Sequence, residues 1–149
     1  MKALFDTSIL VAAFEVSHPR HSICLPWLQR VQEKEIDGYL STHSFAELYS
    51  VLTRLPVKPA ISPVIAQRLI NENLNLFVAI PLTADDYQQA IACMVKLNLP
   101  GGGIFDALIA QVAIKTEVDI LFTLNPRHFT RLGEDLAQRV QLGLSMLTS

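Results

Sequence analysis

Cysteine is scarce in this sequence, with Cys24 and Cys93 standing far apart among 149 residues. They supply neither a disulfide framework nor the close pairs of a zinc site, and two unpaired thiols fit a reducing cytoplasm. Charge of one sign is also missing, the formal net charge being -2 and the sequence pI near 6.0. A broad, nonspecific grip on nucleic acid usually comes with a basic excess, so such a grip is disfavoured, although a local cluster of Arg and Lys escapes the total. No apolar run approaches the ~20 residues that cross a bilayer. The apolar stretch Ile9 to Phe14 follows an acid and leads to no small-residue cleavage site, so neither an export signal nor a membrane segment is read. A soluble, cytoplasmic protein is expected. Repeats and low-complexity stretches are absent too.

What remains is a chain that is half hydrophobic, long enough to bury one sizeable core, and expected to form a single domain over residues 1–149. Short strand-like runs alternate with longer helical ones. Ala3, Leu4 and Phe5 suit a buried strand, after which Thr7 or Ser8 can cap a short helix to Phe14. Ser22 to Lys34 is amphipathic at helical spacing, Asp37-Gly38 is a turn signal, and Tyr39 to Ser41 is a second strand. His43 to Leu55 reads as a helix with one buried stripe, and Ser62-Pro63 opens another that runs to about Leu74. Leu76 to Ile80 is the clearest strand, and Thr83 to Asp86 caps a helix through Leu97. The run from Ile104 to Ala113 is apolar on nearly every side, which implies a helix buried against a sheet. Ile120 to Thr123 follows as a strand, and Val140, Leu142, Leu144 and Met146 alternate as a plausible edge strand.

Polar groups gather where strands end. Asp6 closes the first strand, Glu47 lies early in a helix, Asp106 interrupts an apolar helix near its start, and Asn125 follows the last strand. In an open α/β sheet ligands collect at the carboxyl ends of the strands. Oxygen donors of this kind suit Mg²⁺ or Mn²⁺ better than zinc. Each residue also has a purely structural role open to it. Asp6 can be a helix cap, Ser44-Phe45-Ala46-Glu47 matches a capping box, Asp106 can be a first-turn acid favoured by the helix dipole, and Asn125 before Pro126 can be a turn residue. The glycines at 101 to 103 lack both the dinucleotide-binding spacing and a Walker lysine, and His18 with His21 makes only half of a zinc site.

The runs Leu4 to Leu10, Ser44 to Leu48, Ile104 to Ala110 and Phe122 to Phe129, in this order, resemble the PIN-domain family, and within it the VapC-type toxins of prokaryotic toxin–antitoxin pairs. The resemblance spans essentially the whole chain. It implies a three-layer α/β/α fold with a mainly parallel sheet, and a Mg²⁺- or Mn²⁺-dependent ribonuclease with its carboxylates at the sheet's carboxyl edge. Position by position it assigns Asp6, Glu47 and Asp106 to the metal, and Thr123 and Asn125 to the polar residues that complete the site. An RNA substrate, a small antitoxin that covers the site and a toxin homodimer follow from the same resemblance, with the groove between the helices at Ser22–Lys34 and His43–Leu55 as the expected antitoxin contact. Arg127, His128 and Arg131, close after Asn125, are read first as a solvated surface, with contact to the RNA backbone as the alternative. Many relatives carry a further acid in the last motif where this chain has Asn125 or His128, which implies weaker metal binding and leaves open whether one ion or two is held. Two other classes are open. A haloacid-dehalogenase-type phosphatase also begins with an Asp at a strand end but wants a second acid where Ser8 stands. A catalytically silent PIN-fold module would bind RNA or protein without cutting.

Overall fold

The structure, a computed structural model, describes residues 1–149. In chain order the elements are β1 (Lys2–Phe5), α1 (Thr7–Phe14), α2 (His21–Gln32), β2 (Asp37–Ser41), α3 (Thr42–Leu52), α4 (Pro63–Asn73), β3 (Val78–Ile80), α5 (Ala84–Lys96), α6 (Gly103–Thr116), β4 (Ile120–Phe122), α7 (Pro126–Thr130) and α8 (Glu134–Thr148). The four strands form one parallel sheet in the order β3-β2-β1-β4, with Leu4 in register with both Tyr39 and Leu121. Alternate residues face opposite sides of a strand. Ala3, Phe5, Leu40, Ile120 and Phe122 therefore meet α1 to α4 on one side, while Leu4 and Leu121 meet α6 and α8 on the other. Helix α5 packs against α6 through Ala90, Met94, Ala107 and Leu108. This is the α/β/α layering expected from the sequence. No helix is long and apolar enough to cross a membrane.

The strand order places the site. From β1 the chain steps outward to β2 and β3, then returns past β1 to lay down β4 on its other side. The direction of winding reverses between β1 and β4, and at such a switch point the connections after the two strands splay apart and leave a crevice. Asp6 follows β1 and Thr123 follows β4, so both stand at that crevice.

Several boundaries differ from expectation for identifiable reasons. The tail does lie at the sheet edge, but as helix α8 and not as a strand. Leu136, Val140, Gly143 and Leu147 are its buried residues, a spacing of three and four, whereas Leu142 in the apparent alternation is 57% exposed. The approach is close, since a Cβ on Gly143 would stand 2.7 Å from the Leu121 carbonyl oxygen. Asp37-Gly38 is no turn but the start of β2, with Gly38 opposite Ala3; a Cβ there would meet the Val31 side chain at 2.7 Å and Phe77 at 2.8 Å. Helix α3 stops at Leu52, short of Leu55, and β3 is only Val78–Ile80. The helix cap after β1 is Asp6 itself, whose carboxylate accepts from the Thr7 backbone N–H. Ser62 with Pro63, and Thr83 with Asp86, start their helices as their sequence signals indicate.

Candidate active site

Asp6 is 5% exposed, and three donors engage its carboxylate. Its Oδ1 accepts from the Thr7 backbone N–H at 2.8 Å, and its Oδ2 accepts from the Ser8 hydroxyl at 2.9 Å and the Thr123 hydroxyl at 2.8 Å. The Asp6 backbone N–H donates to the Phe122 carbonyl, so the end of β4 clamps both main chain and side chain of this residue. Burial nevertheless holds the Asp6 carboxyl above its ordinary range, with the three donors pulling the other way.

Glu47 is brought opposite by α3. That helix is capped by Ser41, whose side chain accepts from the His43 N–H, so Ser44 and Glu47 do not form the capping box their spacing suggests. Ser44 instead turns inward, where its Oγ accepts from the Thr7 hydroxyl at 3.4 Å and ties α3 to α1. One turn further along α3, Glu47 Oε1 is buried without a hydrogen-bond partner. His43 Nε2 stands 3.5 Å from it, too long for a hydrogen bond of good strength. Burial, with repulsion from Asp6 and Asp106, pushes the Glu47 carboxyl up to about 7.

Asp106 comes from the first turn of α6. Its carboxyl is raised by burial and by Asp6, while His128 and Arg131 pull it back; His128 Nδ1 stands 3.4 Å from Asp106 Oδ2. Asn125 precedes α7 and makes no side-chain cap, although its backbone N–H donates to Thr123 Oγ1 at 3.0 Å. Asp6, Glu47, Asp106, Asn125 and His128 line one open cleft of about 610 Å³. Thr123 is 1% exposed and sits beneath the cleft, so it touches a ligand only through Asp6. No three acidic, histidine or cysteine side chains close into a ready ligand cage. The three acids and Asn125 offer oxygen donors, Asp6 raises the proton affinity of both Glu47 and Asp106, and one Glu47 oxygen is orphaned in a buried position. This set fits a small hard cation that keeps several of its waters, and does not fit a caged zinc ion.

Residues 3–135 match the PIN domain. The chain belongs to the PIN domain family. Among curated relatives it is similar to Ribonuclease VapC40 of Mycobacterium tuberculosis, 32% identical over 108 residues that cover 72% of this chain and 75% of the relative. It is also similar to Ribonuclease VapC27 of the same organism, 27% identical over 115 residues that cover 77% and 79%. These relatives place it among the VapC-like members of the PIN family. In fold it matches VapBC2 of Rickettsia felis bound to a DNA fragment from their promoter, with a TM-score of 0.65 and 23% identity over 89% of this chain and 93% of that one. It matches M. tuberculosis VapC20, described as a sarcin–ricin loop cleaving toxin, with a TM-score of 0.67 and 18% identity over 85% and 92%.

In this PIN fold the five residues singled out in the sequence come together, four on the cleft wall and Thr123 behind it. Ser8 was the residue overlooked. It donates to Asp6 Oδ2 and accepts from the Leu124 N–H at 3.0 Å, linking the loops after β1 and β4. A hydroxyl two residues past an acid at a helix start was the available signal. Phe105 and His43 also flank Glu47, and no local pattern marks them. The helices α2 and α3 are not a packed pair: α2 lies on α1 and α8, and α3 lies on α1, β2 and α4. An open, largely apolar groove beside α3 lies on its α4 side, lined by Phe45, Tyr49, Pro63 and Val64 among others.

Proposed function

We propose that this chain is a divalent-metal-dependent endoribonuclease, the toxin of a toxin–antitoxin pair, with Mg²⁺ or Mn²⁺ as its ion. The observation that carries the reading is Glu47 Oε1, a buried carboxylate oxygen without a partner that shares a cleft with two other acids. The Glu47 side chain is 30% exposed, but a buried carboxylate oxygen left unpaired is costly, and a cation in the cleft would relieve it. Asp6 and Asp106 would hold the ion, with Glu47 beside them. When bound, such an ion supplies charge stabilisation at the phosphate and makes water a better nucleophile.

The chain's own groups do the rest. Thr7, Ser8 and Thr123 fix the Asp6 carboxylate in one orientation. Glu47, on the same cleft wall, would bind the ion or orient the attacking water. Asn125 presents its amide to the phosphate from the rim, and His128 and Arg131 offset the negative field around Asp106. In-line attack with departure of the 3′ oxygen leaves a 5′-phosphate. A small antitoxin that covers the cleft, and a homodimer of the toxin, complete the reading; the VapBC2 structure supports a protein partner by likeness of fold. The groove between α3 and α4 is the surface we assign to the antitoxin, and crosslinks mapped elsewhere would count against it.

The test is cleavage of total tRNA and ribosomal RNA by purified protein with Mg²⁺, with Mn²⁺ and with chelator, alongside Asp6→Asn and Asp106→Asn. Discrete metal-dependent products that both variants lose support the nuclease, and end-labelling should show 5′-phosphates. A 2′,3′-cyclic phosphate would point to metal-independent chemistry. Binding without turnover by folded, metal-loaded protein would turn the reading to a silent PIN-fold binding module.

A further inference from the structure

The acid cleft continues past Glu47. A second groove of about 340 Å³ opens beside it, bordered by His43, Ser50 and Arg54, with Glu47, Val51 and Phe105 common to both. His43, Glu47, Ser50 and Arg54 recur at three- and four-residue intervals, so one polar face of α3 and the turn after it leads away from the acids. Phe105 of α6 forms the facing wall. Its side chain is left 49% exposed, although Ala107, Leu108, Ile109 and Ala110 just after it are buried. His43 lies parallel to the Phe105 ring, with centroids 5.5 Å apart and planes 2° from coincidence, which backs one side of the ring. At the far end Arg54 is anchored through Nε to the Ser50 carbonyl at 3.0 Å and pairs with no carboxylate, so its terminal nitrogens are uncommitted.

We propose that this groove seats the RNA nucleotide next to the scissile bond, its base stacked on Phe105 and its phosphate on Arg54. The proposal rests on the ribonuclease reading and names part of that site's substrate path. An aromatic face at the rim of a groove with a free guanidinium is the combination that binds single-stranded nucleic acid, because every base has a stacking face and every nucleotide a charge. Stacking tolerates all four bases. The groove therefore selects for an unpaired, splayed nucleotide, a loop or a single strand, more than for one base identity.

The experiment uses the full chain carrying Asp106→Asn to stop turnover, and a single-stranded oligoribonucleotide with one 2-aminopurine. The parent should bind and quench the fluorophore. Phe105→Leu should weaken binding about tenfold and abolish the quench, while Phe105→Tyr keeps both. Arg54→Ala should weaken binding and lower the slope of log affinity against log salt by about one. In the cleaving protein, Phe105→Leu should raise KM by more than it lowers kcat. Unchanged affinity and quench in Phe105→Leu, with the parent still binding, overturns the platform and leaves the nuclease standing. A parent that neither binds nor, with Asp106 restored, cleaves RNA overturns both.

Discussion

The Thr123 hydroxyl donates to Asp6 Oδ2 at 2.8 Å across 117 residues of sequence, and both residues are almost completely buried. Parallel pairing of β1 with β4 brings them together, since Phe5 and Phe122 are in register immediately before them. The bond favours the charged form of Asp6 against the burial that disfavours it. Thr123→Val keeps the shape and removes the donor. It should weaken Mg²⁺ binding about 10- to 100-fold in calorimetry and cost about 1–3 kcal/mol in denaturant unfolding. Thr123→Ser should retain most of both.

Glu47 gives the protein a pH dependence of definite sign. Its carboxyl rises from 4.5 to about 7 on folding, so between these values the folded state holds a proton that the unfolded state has released. Metal-free protein should therefore lose stability as pH rises through that window. Asp6 and Asp106 are shifted in the same sense. The lowered carboxyl of Asp86, held by the Thr83 N–H and Lys115, acts in the opposite sense, but below 3.8 and outside the window. Thermal melts from pH 4.5 to 8 should show the decline. Glu47→Gln should flatten it, and added Mg²⁺ should stabilise more at pH 8 than at pH 5, because the ion competes with protons for the same oxygens.

Asn125 brings an amide where the resemblance leads one to expect a further acid. The side chain is exposed on the cleft and caps nothing, so it can be exchanged without disturbing α7. Asn125→Asp adds a negative oxygen donor and should tighten Mg²⁺ or Mn²⁺ binding about tenfold, since affinity for hard cations follows ligand charge. Calorimetric titration of the two proteins decides it, and equal affinities would remove Asn125 from the site.

Gly143 allows α8 to lie directly on β4. A methyl group there meets the Leu121 carbonyl oxygen at 2.7 Å and Ile120 Cγ2 at 3.0 Å, and the first of these is backbone that cannot rotate away. Gly143→Ala should destabilise the protein by about 1–3 kcal/mol despite the better helix propensity of alanine. Leu142→Ala, one residue earlier and outward-facing, should stay within about 0.5 kcal/mol of the parent. Urea midpoints measured side by side separate the two.

The layered fold and the acids were readable because local chemistry announced them. Asp6 ends an apolar strand, and Asp106 interrupts a helix that is otherwise nearly all apolar. The structure brings both to one cleft with Glu47. What stayed hidden depends on partners distant in sequence. Gly38 reads as a turn until Val31 and Phe77 are seen to press on it. Ser44 reads as a cap until Thr7 is seen to claim its hydroxyl. A glycine in the buried stripe of α8 conceals its helical period, leaving an accidental alternation as the stronger signal. Phe105 lies in a run so apolar that nothing local tells its exposed ring from the buried residues after it.

The pairing of β1 with β4 joins the first strand of the chain to the last. Asp6 leaves the ribosome long before Asp106 and the Thr123 hydroxyl that orients it, and β4 can dock on β1 only after β2 and β3 have been synthesised. A nascent or truncated chain that lacks β4 has its first acid without its clamp. If the proposed nuclease activity holds, a chain broken before Thr123 should lack it, because the acids then never gather around a clamped Asp6.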